Sequence, residues 1–213
     1  MLTLYDYLPS QNAYKVRLLL HHLGLPYRTV IVSIFEGEGE RAEYLAINPS
    51  GAVPALRLDD NRTLAESNAI LTFLAENTIY LPEDPYQRAK VFQWLCFEGD
   101  YVQSTLATLR HWKMTGKDKN YPASVVEAKQ AGAVKTLSIL NRALNHNAYL
   151  SGDTYTIADI SVFAYVHRAE EADIPLSGYP NIERWVADIR SQPDFLGEVH
   201  PYSIDPYSTR ELP

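Results

Sequence analysis

The sequence predicts an α+β domain over residues 1–80 and an all-α domain over 86–213, joined by a linker at 81–85. Three observations carry this. Strand signals, either alternating or β-branched, occur near the N-terminus, at 27–32 and at 53–64, and nearly vanish afterwards. Apolar residues at helical spacing then fill 86–113, 123–144, 157–172 and 182–190. Between the two regimes lies Leu81-Pro82-Glu83-Asp84-Pro85, whose two prolines and two acids punctuate the chain.

Leu2 to Tyr7 alternates and carries β-forming residues, so it predicts a first strand, ended by Pro9 and Ser10. From Asn12 the spacing of Val16, Leu19, Leu20 and Leu23 predicts a helix, with Gly24 as its stop. Tyr27 to Val32 predicts a second strand, and the crossover favours parallel pairing. Phe35 to Arg41 is glycine- and glutamate-rich without period, hence a loop, and a short helix is expected over Glu43 to Ile47. Val53 to Leu58 and Arg62 to Leu64 flank the turn-forming run Asp59-Asp60-Asn61 and predict a hairpin. A helix from Ser67 to Asn77 follows. The order β-α-β-α-β-β-α is the thioredoxin-like arrangement, a small mixed sheet with helices on both faces. In the second half, breaks fall at Gly116 to Pro122 and at Ser151-Gly152-Asp153.

Composition narrows the function. With 46% apolar and 21% charged residues in 213, the chain has the make-up of an ordinary globular protein. A net charge of −7 with no basic stripe argues against nucleic acid or an anionic membrane as the main partner. The N-terminus lacks a basic region and a long apolar run, and no window is apolar enough to span a bilayer, so a cytoplasmic location is expected. The single cysteine, Cys96, excludes an intramolecular disulfide; among apolar neighbours it is expected to be a buried small hydrophobe. None of the six histidines sits at metal-ligand spacing with another histidine or with the cysteine, so no metal is expected, and no phosphate loop is present.

The densest motif is Asn48-Pro49-Ser50-Gly51-Ala52-Val53-Pro54-Ala55-Leu56, followed by Glu66-Ser67-Asn68-Ala69-Ile70. Pro54 interrupts a strand, where a proline is expected only at an edge or irregularity. A Val53-Pro54 bond in the cis form would turn the Val53 amide and carbonyl outward, free for a peptide ligand. Only about 5–6% of X-Pro bonds are cis, so the residues alone do not predict it, and the family resemblance below is what favours it. Glu66-Ser67 opens a helix. One reading is plain capping. The other is that the Ser67 hydroxyl and amide hold a carboxylate at the positive helix end while Glu66 accepts from an ammonium. A ligand with both charges on one carbon suits adjacent residues of this kind. Thr156-Ile157-Ala158-Asp159 is a capping box with a structural role.

Together with Leu150-Ser151-Gly152-Asp153 and Tyr179-Pro180-Asn181-Ile182-Glu183-Arg184-Trp185, these motifs resemble the cytosolic glutathione transferases over nearly the whole chain. The resemblance implies the glutathione transferase fold, a homodimer, and a detoxification role. It also implies activation of the thiol of glutathione, a co-substrate with no further cofactor, for attack on a small electrophile. The glutathione site it implies comprises Val53, Pro54, Glu66 and Ser67. Where many members carry a basic residue or glutamine for the glycyl carboxylate, this chain departs from the pattern with the mostly acidic Gly37-Glu38-Gly39-Glu40-Arg41. Arg41 is therefore the candidate for that role, with Lys15 and Arg17 as further candidates.

Subclass turns on Pro9-Ser10-Gln11-Asn12-Ala13-Tyr14-Lys15-Val16, which resembles the serine-type classes at Ser10 and the bacterial nu class at Asn12. Either residue can also cap a helix, and Ser10 is expected to serve the thiol only if its side chain is free of the cap. Tyr5 and Tyr7 are the rival thiol activators. The absence of a cysteine from this loop argues against the beta and omega types, and Gln11-Asn12 against a zeta-like isomerase. The acceptor pocket is expected between domains, from Tyr101, Leu106, Arg110, His111 and Trp112. Alternatives to transfer are a nu-like disulfide reductase or peroxidase, and a non-catalytic binding protein of the same fold.

Overall fold

The computed structural model describes residues 1–198 and 200–213, which form two compact units: 1–76 with 193–213, and 77–192. In the first unit a four-stranded sheet has the order β2-β1-β3-β4. Its strands are β1 (Leu2–Asp6), β2 (Tyr27–Ile31), β3 (Ala55–Arg57) and β4 (Thr63–Ala65). As the crossover requires, β1 and β2 are parallel, with Leu4 opposite Thr29, while β3 runs antiparallel to both β1 and β4. The expected hairpin turns at Asn61, whose positive φ of 68° suits asparagine.

Alternation along β1 sorts the two faces. Leu4 and Asp6 are buried on the side of α1 (Gln11–His22) and α3 (Ser67–Ala75). Tyr5 and Tyr7 point the other way, into a cluster with Val32, Phe35, Val53, Ala55 and Tyr44 of α2 (Ala42–Leu45). The stretch read from sequence as a formless loop is two short 3₁₀ turns, Ile34–Glu36 and Glu38–Glu40. Ser33 N donates to the Glu38 carboxylate at 2.7 Å, which ties the first turn to the second.

The second unit begins before the expected linker has ended. Leu81 is buried, Tyr80 O accepts from Ile157 N at 3.0 Å, and Asp84 caps α4 (Pro85–Phe97) by accepting from Gln87 N. Residues 81–85 are thus folded structure: Asp84 caps α4, Pro85 starts it, and Pro82 O accepts from Arg88 Nε at 2.9 Å. The chain then stays helical through a π-helical stretch, Glu98–Ala107, into α5 (Thr108–Thr115). Buried Glu98, Val102 and Leu106 recur every fourth residue, a period longer than that of an α-helix, which wider turns accommodate. The helices α6 (Ala123–Ala143), α7 (Ile157–Val166) and α8 (Pro180–Arg190) complete the unit.

The capping box at the start of α7 is present as expected. Asp159 is fully buried and accepts from Thr156 N at 3.0 Å, Leu150 N at 2.9 Å and Trp185 Nε1 at 2.9 Å. Its burial raises the carboxyl to about 6, against those donors. Cys96 corrects the sequence expectation: it is exposed. The buried stripe of α4 runs through Val91, Trp94 and Leu95, and one further residue turns the thiol about 100° away.

Residues 193–213 also differ from expectation, since they group with the first unit and not with the helices that precede them. His21 Nδ1 donates to Asp194 O at 2.7 Å and His22 Nδ1 to Pro193 O at 3.0 Å; a carbonyl only accepts, so Nδ1 carries the proton in both. Tyr14 OH donates to Leu196 O at 2.7 Å, and Tyr7 OH to Asp205 Oδ2 at 2.7 Å. Tyr202 and Tyr207 pack on the Tyr7–Phe35 cluster. Among the described residues, no helix is long and apolar enough to cross a membrane.

Candidate functional site

Three chain segments of the first unit carry the sequence motifs. The turn before β3 is built by Asn48, which is buried. Its Nδ2 donates to Ala52 O at 2.7 Å and its Oδ1 accepts from Ser50 N at 3.1 Å and Ser50 Oγ at 2.9 Å. Tyr44 OH donates to the same Ala52 carbonyl at 2.6 Å. With the turn held on both sides, the chain reaches Val53-Pro54, whose peptide bond is cis. The ladder begins only at Ala55, so the Val53 amide and carbonyl lie outside the sheet's pairing.

The second segment is the entry to α3. Glu66 is exposed and has φ 66° and ψ 114°, a backbone conformation that a residue with a side chain adopts at a cost of about 1–3 kcal/mol. Its carboxylate makes no cap bond. Ser67, buried, does not bond to its own helix either: its Oγ accepts from Lys15 Nζ at 3.3 Å and donates to Asn12 Oδ1 at 3.4 Å. The capping reading of this pair therefore lacks its bonds.

The third segment is the start of α1. Ser10 is its N-cap, with Oγ accepting from Ala13 N at 3.3 Å. The sequence reading set capping against thiol chemistry, but a hydroxyl caps with a lone pair and keeps its proton. Ser10 can do both. The preceding turn is fixed by Arg17, whose Nη1 donates to both Asp6 carboxylate oxygens at 2.8 and 2.6 Å and whose Nη2 donates to Leu8 O at 3.0 Å. Arg17 is buried in that role and is not placed to meet a ligand.

The other candidates fall elsewhere. Arg41 is exposed and pairs with Glu38 at 2.9 Å; it lines a groove of about 370 Å³ with Tyr5, Val32, Tyr44 and Ile47. Tyr7 is committed to Asp205, and burial, then that carboxylate, push its pKa well above the usual phenol value. In the second unit Leu106 is fully buried, and Arg110 is pinned in the interior by a 2.6 Å bond from Nε to Glu171. Both belong to that unit's core, which corrects their expected place in a pocket. Trp112 is buried against the ring of Tyr121 at 4.0 Å, His111 is half-buried, and Tyr101 is exposed and stacked on Phe97 at 4.7 Å.

Sequence reasoning missed what Lys15 touches, although its place three residues after Asn12 on one helical face was a usable signal. No local signal pointed to Asp205.

Comparison with known proteins follows the same two halves. Residues 9–77 match the family model described as glutathione S-transferase, N-terminal domain, and 104–193 that of the glutathione S-transferase C-terminal domain. The chain is 31% identical to the disulfide-bond oxidoreductase YfcG of Escherichia coli, over 91% of this chain and 92% of that one. A glutathione S-transferase from Pseudomonas fluorescens superposes with a TM-score of 0.86 at 36% identity, covering 92% of this chain and 97% of the other. A glutathione transferase from Burkholderia graminis, solved with two glutathione molecules bound per subunit, gives 0.78 at 27% identity, covering 91% and 85%.

Proposed function

The chain belongs to the glutathione S-transferase family and is a glutathione transferase, and on that premise we propose which of its residues hold glutathione and activate the thiol. The Val53 amide and carbonyl pair with the cysteinyl backbone of glutathione in the manner of an added strand. Ser67, at the start of α3, takes the γ-glutamyl carboxylate, where helix amides and dipole favour an anion. Glu66 accepts from the ammonium on the same carbon. The Ser10 hydroxyl and the Asn12 amide donate to the sulfur and bring its pKa down from the ordinary thiol value of about 8.5. A sulfur lone pair then attacks an electrophilic carbon; the C–S bond forms and the leaving group departs with its electron pair.

The convergence of Asn12 on Ser67 at 3.4 Å carries this reading, because it joins the thiol end of the site to the carboxylate end. Its test is a pair of variants assayed with glutathione and an aryl halide. Ser10→Ala lowers kcat by about 10²-fold with the glutathione Kd nearly unchanged. Glu66→Gln weakens glutathione binding by about tenfold. A Ser10→Ala enzyme with wild-type kcat removes Ser10 from the mechanism.

The likeness to YfcG favours a second activity of the same site, reduction of disulfides. There the thiolate attacks a disulfide sulfur, one thiol leaves, and a second glutathione resolves the mixed disulfide to glutathione disulfide. Turnover of a glutathionylated thiol that fails in Ser10→Ala and Asn12→Ala alike supports it; turnover untouched by both overturns it. A homodimer is also part of this proposal, on the strength of exposed Phe73 on α3 and Tyr86 and Phe92 on α4. A monomer mass in sedimentation counts against it. A reducing, cytoplasmic setting suits an enzyme whose co-substrate must remain a thiol.

A further inference from the structure

Lys15 is a fully buried lysine on the floor of the site. It leaves α1 one turn after Asn12, on the same face. Its Nζ lies 3.3 Å from Ser67 Oγ, and Ser67 Oγ lies 3.4 Å from Asn12 Oδ1. An ammonium only donates, so the serine oxygen is the acceptor in the first contact. The single hydroxyl proton is left for the second, and it goes to Asn12 Oδ1. An amide whose oxygen is held there turns its NH₂ group to the opposite side. That polarity matters chemically: an amide N–H stabilises a thiolate and an amide oxygen repels it.

We propose that Lys15 is a positioning residue for thiol activation, fixing through Ser67 the orientation of the Asn12 amide so that it presents N–H to the glutathione sulfur. The proposal rests on the glutathione reading above and sharpens it at Ser67. Its hydroxyl proton serves Asn12, and the γ-glutamyl carboxylate is left to the Ser67 amide and its helix start. The reverse amide orientation is disfavoured because it leaves the Ser67 proton without its acceptor, and an unmet buried polar group is costly.

The test is the pH titration of thiolate absorbance for bound glutathione, alongside calorimetric Kd values and melting temperatures. Lys15→Met raises the thiol midpoint by about half a unit or more, roughly threefold less thiolate at neutral pH, and kcat recovers at alkaline pH. Lys15→Gln, which keeps an N–H for Ser67, stays close to the wild-type midpoint. Ser67→Ala raises the midpoint as Lys15→Met does, and adding Lys15→Met to it brings no further shift. A role confined to packing lowers the melting temperature and leaves every midpoint in place, which overturns the proposal. So does an equal shift in Lys15→Met and Lys15→Gln. If Lys15→Met does not fold, Ser67→Ala alone decides, since an unmoved midpoint there breaks the relay. Wild-type protein that binds no glutathione overturns the functional reading itself, separately from these variants.

Discussion

Tyr7 shows how a residue of the right type is removed from the chemistry by one bond. Its hydroxyl donates to Asp205 at 2.7 Å, and burial together with that carboxylate holds its proton more tightly than in an ordinary phenol. A donor already committed to a carboxylate has nothing to offer a sulfur. Tyr7→Phe should therefore leave kcat near the wild-type value while lowering unfolding free energy by about 1 kcal/mol, as read by activity and urea denaturation. A large fall in kcat at unchanged stability would restore tyrosine as the activator. Sequence alone raised the rivalry between Ser10 and Tyr7 because both precede α1. It could not resolve it, since the residue that decides lies 198 positions away in the chain.

Among elements, helix starts were legible and irregular backbone was not. Ser10 and Thr156 each cap the helix their chemistry announces, because a side-chain oxygen meeting orphan amides is a local event, whereas Asp84, taken from sequence as linker, caps α4. The π-helical stretch has no such signature, and sequence did not show that Leu106 within it and Arg110 just beyond it are buried in the second unit. The segment from Gly37 to Arg41, unperiodic in sequence, acquires its role from packing. A Cβ on Gly39 would lie 2.3 Å from Gly51 O, so only glycine lets these two turns touch. Gly51 sits in the turn that Asn48 holds and that leads to Val53. Gly39→Ala must displace that turn, and the displacement falls on Val53, the residue proposed to pair with glutathione. We expect about tenfold weaker glutathione binding by calorimetry, with kcat at saturation within about twofold. Unchanged binding would show that the turn does not set the position of Val53.

For the whole molecule, composition and element order sufficed for the fold, since binary patterns are sums over many residues and tolerate local error. Burial of single ionisable groups is not such a sum, and it governs how the protein responds to acid. His167 is stacked on Phe163 at 4.3 Å and donates from Nδ1 to Phe163 O at 2.6 Å. Burial lowers its pKa from 6.5 to about 3, and the charges of Arg168, Arg190 and Arg110 act in the same direction. The unfolded chain therefore takes up a proton near pH 6.5 that the folded chain refuses until about pH 3. Stability conferred by the neutral ring is complete above 6.5 and is lost as pH falls, by roughly 1.4 kcal/mol per unit within that window. Asp159 acts oppositely. Its carboxyl, raised to about 6 by burial, binds its proton more readily in the folded state, so falling pH stabilises through this group between 6 and 3.8. The two opposing slopes partly cancel in the wild type and conceal each other in a single acid titration. Comparing wild type with His167→Gln isolates the first, because Asp159 and the surface carboxylates contribute to both. Urea unfolding at pH 7 and pH 5 should show wild type losing about 2 kcal/mol more than the variant over that interval. Equal losses in the two proteins would mean that the ring is reached by solvent and titrates normally in the folded state.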